Sequence, residues 1–108
     1  MAIDWSAVWD AALAAGENVV VKQAPTARKF VRQIMQAREQ RLKLLMIAWA
    51  DGALDEETLE AELEEEREIL EMEFLALQVL AKKTAQDAVN AVFKVITDAL
   101  VQGIELVL

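Results

Sequence analysis

The chain has 108 residues, 56% of them apolar, and a net charge of −8 from 11 basic and 19 acidic side chains. That length supports one domain with one core, and the apolar share exceeds the usual 45–50%, so a single subunit has more greasy surface than it can easily hide. Histidine, cysteine and tyrosine are absent and Ser6 is the only serine, which removes disulfides, thiolate metal sites, the common general base and most nucleophile–base pairs.

The acidic balance argues against nucleic acid as a partner, because phosphate repels the chain as a whole. No metal or cofactor is expected either. The segment WADGALDEET resembles a calcium loop only in outline, since Ile47 and Trp49 stand where alternating oxygen ligands are required. Asp4 and Asp10 sit where a secretory leader would carry positive charge. The first residues are therefore expected to belong to the fold, and the protein to the cytoplasm.

The first helix is expected over about residues 5–23. Asp4 is a good N-cap, Ile3 and Val8 form a hydrophobic staple, and Trp5, Val8, Trp9, Ala12 and Leu13 follow one helical face. Gly16 is read either as the end of this helix or as a close-packing point within it. Val19, Val20 and Val21 are too isolated to form a sheet.

Pro25 and Thr26 mark the next start, and a second helix is expected over about 26–50. Its inward set reads Ala27, Phe30, Val31, Ile34, Leu42, Leu45, Met46 and Trp49. Asp51-Gly52 ends it, with glycine free to take the left-handed conformation of a C-terminal cap.

From Ala53 to Gln102 the chain contains no glycine or proline. Asp55 is the N-cap of a third helix, Glu56 and Glu57 favour its positive end, and Leu54 with Leu59 forms a second staple. The third helix is expected over about 56–83 and a fourth over about 85–106. The two either join as one long helix bent near 82–85 or separate there, with Thr84 and Asp87 as a capping pair.

Charge segregates along these elements. Lys22, Arg28, Lys29, Arg32, Arg38, Arg41 and Lys43 mark helix two, while Asp51 to Glu73 holds twelve carboxylates against Arg67 alone. A short loop makes the two helices antiparallel neighbours, so Arg38 and Arg41 should lie level with Glu62–Glu68. Glu60, Glu64, Glu68 and Glu71 fall on one side and form a candidate docking face for a basic protein partner.

In the last segment Asp87, Asn90, Lys94, Thr97, Asp98, Gln102 and Glu105 form one thin polar line. The rest is apolar, so this helix needs neighbours on at least two sides. A membrane span is disfavoured: Lys94 and Asp98 cost about 2.5–3.5 kcal/mol each, against about 0.3–0.6 returned per apolar residue.

The fold class expected is all-α, a helical hairpin or bundle with a long third helix and an apolar C-terminal segment. The function expected is that of a non-catalytic, self-associating subunit of a larger assembly, such as a virion component, assembly protein or adaptor. Its homo-oligomer seam is expected at Val92, Phe93, Ile96, Leu100 and Ile104. The alternatives are an acidic binding module or inhibitor, and a membrane-active helical oligomer.

Overall fold

The computed structural model describes residues 4–77 and 80–107, with side chains to residue 102. Four helices account for it: α1 (Trp5–Gln23), α2 (Arg28–Ala50), α3 (Glu56–Ala76) and α4 (Lys82–Val107), with a 3-10 turn Pro25–Ala27 leading into α2. The chain is all-helical among the described residues and measures 43 × 21 × 20 Å.

Local chemistry sets most of the helix ends. The Asp4 carboxylate accepts from the backbone N–H groups of Ser6 and Ala7 at 3.1 and 3.2 Å. Asp55 accepts from Thr58 N–H at 2.7 Å, and this bond holds its carboxyl below the usual carboxylate range. These are the orphan first-turn donors that an N-cap exists to satisfy. Leu54 packs partly buried against the core to which Leu59 belongs; the first staple involves Ile3, which lies outside the described residues.

At the other end of α2 the chain closes as a Schellman motif. Gly52 has φ +79°, and its N–H donates to Trp49 O at 3.1 Å while Ala53 N–H donates to Ala48 O at 2.8 Å. Nothing lies within 4 Å of where a Gly52 side chain would start. Conformation alone selects glycine there.

The helices neighbour one another in a ring: α1 packs on α2, α2 on α3, α3 on α4, and α4 back on α1 in the most extensive pairing. Register shows each neighbour running antiparallel. Glu17 of α1 meets Arg28 and Arg32 of α2, Arg38 and Arg41 of α2 meet Glu73 and Glu66 of α3, and Thr84 of α4 donates to Gln23 of α1 at 2.6 Å.

Gly16 sits inside α1 rather than ending it. A Cβ there would stand 2.7 Å from Val92 Cγ2 and 3.3 Å from Met35 Sδ. Together with fully buried Ala12, the missing side chain lets α4 come close to α1 and gives α4 its first apolar neighbour. The second is α3, so both neighbours that the polar stripe demands come from the same chain.

Three expectations are corrected. Helix three ends at Ala76, well before residue 83, and α4 begins at Lys82 rather than 85. The long bent helix is therefore two helices. α4 packs back on α1 and α3. Thr84 is not a cap: it is buried in the first turn of α4 and bonded to Gln23. Phe30 faces outward, and Met35 takes the fully buried place instead.

Candidate functional site

The polar chemistry is divided among three surfaces. The first runs between α2 and α3, where the inward row of α2 reads Val31, Met35, Arg38, Leu42, Leu45 and Trp49. Arg38 interrupts an otherwise apolar series at helical spacing. Opposite it, Glu66 interrupts the row Leu59, Leu63, Leu70, Phe74 on α3.

Glu66 is only 6% exposed, and its carboxylate lies 3.3 Å from Arg41 Nε and 3.7 Å from Arg38 Nη1. Arg38 also donates to Glu73, at 3.1 Å through Nε, and Arg41 donates to Glu62 at 3.0 Å. The bond from Arg38 to Glu73 is the main cause holding its guanidinium pKa above the ordinary arginine value. Arg38 and Arg41 thus lie level with Glu62 and Glu66, as the antiparallel hairpin requires.

A smaller network joins α1 to α2. Glu17, buried within α1, lies 3.6 Å from Arg32 and 3.7 Å from Arg28. With Lys43 beside Glu39 at 3.7 Å, most cations of α2 are answered inside the chain.

The second surface is the outer side of α3. Glu60, Glu64 and Glu68 are exposed and Glu71 is half-buried. Among the described residues only Glu64 of the four forms an ion pair, with Arg67 of its own helix at 3.7 Å. The four carboxylates point away from α2, so the basic helix does not reach them. Glu64, Glu68 and Glu71 join Arg67, Gln86 and Asn90 around an open polar depression between α3 and α4. There Arg67 donates to the Asn90 side chain.

The third surface is the outer face of α2. Phe30, Gln33, Ala37, Gln40, Leu44 and Ile47 are all exposed, and their spacing of 3, 4, 3, 4, 3 places them in one straight row. Phe30, Leu44 and Ile47 expose 48%, 53% and 41% of their surface, and no residue in the row is charged. Isolated exposed apolar residues are ordinary on a protein surface, but an uncharged row five turns long is not.

No known family, curated protein or solved structure matches the chain.

Set against them, the expected seam on α4 is the interior of the subunit. Val92 and Ile96 are fully buried, and Phe93 and Leu100 are 7% and 6% exposed. Packing within one chain uses that surface before a second copy arrives. The side chain of Ile104 lies outside the described residues. Of the expected acidic set, Glu60, Glu64 and Glu68 are exposed and Glu71 is half-buried. Trp9 is buried, and Trp5 and Trp49 pack partly buried against the same core.

Neither the outer row of α2 nor Glu66 stands out in the sequence as a site. The signal for the row was its 3–4 spacing without charge, masked because Phe30 fits the inward phase equally well. Among the described residues no group of acidic side chains is arranged to hold a metal, and no helix is long and apolar enough to cross a membrane.

Proposed function

We propose that this chain is a non-catalytic helical subunit that works by associating with further copies of itself in a larger assembly. The observation carrying this reading is the uncharged outer row of α2, with Phe30, Leu44 and Ile47 exposed at helix-pairing spacing. Such a row is the stripe with which one helix packs on another. Most of the described apolar surface of α4 lies in the core, Val101 excepted, and three of the six large hydrophobics exposed among the described residues lie on α2. Association through α2 also keeps the unpaired carboxylates of α3 off the seam.

Light scattering on the purified protein at micromolar concentration should give a mass above that of one chain. Leu44→Glu combined with Ile47→Glu should reduce it to the monomer with helicity unchanged, since both side chains are solvent-exposed in the subunit. Burying such charges costs several kcal/mol, so the dissociation constant should rise by at least about 100-fold. A wild-type protein that scatters as a single chain would remove this reading.

A second reading is favoured by the split among the α3 carboxylates. Glu62, Glu66 and Glu73 are engaged by α2, whereas Glu60, Glu68 and Glu71 form no ion pair among the described residues. Like charges four residues apart repel by a few tenths of a kcal/mol each, a cost that a basic partner would reverse. The depression beside Glu64 and Glu68 offers such a partner's lysine or arginine a place to sit. Glu60→Lys, Glu64→Lys and Glu68→Lys together should abolish capture of that partner, with no change in self-association. Unchanged capture at low salt would set the acidic face down as solubility alone.

A further inference from the structure

The outer row of α2 has a second property: its residues are balanced about their own midpoint, between residues 38 and 39. A large apolar side chain stands at each end, Phe30 and Ile47, and the centre is held by Ala37 and Gln40. We infer that two copies of this chain pair antiparallel along α2, about a two-fold axis crossing the helix near that midpoint. The inference rests on the self-association reading and specifies its geometry.

Charge argues for a second copy as the occupant. The molecule carries −8, and its unpaired carboxylates crowd the outer side of α3. Two copies meeting through α3 would bring those carboxylates together. Through α2 they meet at a neutral row whose neighbouring cations are mostly engaged: Arg28 and Arg32 by Glu17, Arg41 by Glu62 and Glu66, and Lys43 by Glu39. Cations so engaged are not free to recruit an acidic helix. What the row offers is apolar fit to a surface equally neutral, and its own copy presents one.

Volume and dipole choose the direction. Antiparallel pairing sets Phe30 against the partner's Ile47, Gln33 against the partner's Leu44, and Ala37 against the partner's Gln40. Each glutamine then packs its stem beside an apolar neighbour, and every layer contains at least one large side chain. Parallel pairing stacks Ala37 on the partner's Ala37 and each glutamine on its own counterpart, leaving a void at one layer and two amides facing each other at the next. It also aligns two helix dipoles head to head, whereas the antiparallel arrangement opposes them. The resulting contact is isologous, so it closes as a dimer instead of growing into a fibre.

The chain has no cysteine, so single thiols report the geometry without background. Gln33→Cys and Leu44→Cys, both at exposed positions, would be mixed after one is tagged to change its size, allowed to exchange, and oxidised gently. A disulfide needs Cα atoms within about 7 Å, so only directly opposed positions will bond. The expected product is the mixed 33–44 dimer, with little of either variant bonded to itself. Dominant 33–33 and 44–44 products would overturn the antiparallel geometry while leaving self-association intact. Wild type of dimeric mass with no product in any mixture would overturn it too, by placing the seam on another face. A monomeric wild-type mass would overturn both this geometry and the reading beneath it.

Discussion

Arg38→Met should destabilise the protein by about 3 kcal/mol, near the lower end of what breaking one side of a buried ion pair costs. The cause is the residue left behind. Glu66 has a side chain only 7% exposed, and without Arg38 it keeps a single cation, Arg41, which is half in water. Glu73 loses its only ion-pair partner among the described residues in the same step. The double variant Arg38→Met with Glu66→Met should recover most of the loss, because the desolvation cost disappears along with the attraction. Arg41 retains Glu62 in that background. Urea unfolding of the wild type, both single variants and the double variant supplies the cycle, whose coupling energy should be at least about 1 kcal/mol. Strictly additive losses would mean that the two side chains do not stabilise each other.

The same pair explains how much of the fold was legible in the sequence. Asp4, Gly52 and Asp55 act through their own neighbours in the chain, so the ends they set can be read residue by residue. The antiparallel hairpin was legible too, because opposite charges face each other across a short loop. Phase was harder. Arg38 and Glu66 occupy inward positions, and a charged residue in an apolar row disguises the row. On α2 that disguise turns Phe30 inward and hides Met35, although Met35 is fully buried and Phe30 is half exposed.

The break between α3 and α4 has no glycine or proline to announce it. It follows from where α4 must go, onto α1 and α3, and that is decided by residues far away in sequence. Gly16 and Ala12 make the decision possible by leaving room for Val92. In the sequence, which does not show that gap, the apolar faces of α4 demand a second chain. The acidic face was legible because it needs no partner within the chain to stand where it does. The outer row of α2 was not, because recognising a surplus row requires knowing first which rows the core has used.

Trp9 should be the most costly single truncation. It is 1% exposed and is the largest side chain wholly inside the core. Trp9→Ala should lower stability by about 3–5 kcal/mol, the sum of lost burial and the cavity left among the helices. For a domain of this size that is a shift of roughly 4–8 °C in Tm for each kcal/mol. Trp9→Phe separates size from polarity. No described residue accepts a hydrogen bond from the Trp9 indole N–H, so phenylalanine forfeits none of those and removes a buried polar atom. The smaller ring still leaves a gap, and the two effects oppose each other, so Trp9→Phe should cost less than about 1.5 kcal/mol. Thermal unfolding followed by circular dichroism ranks the two variants. A loss for phenylalanine as large as that for alanine would mean that the indole nitrogen, not the ring's bulk, holds the core together.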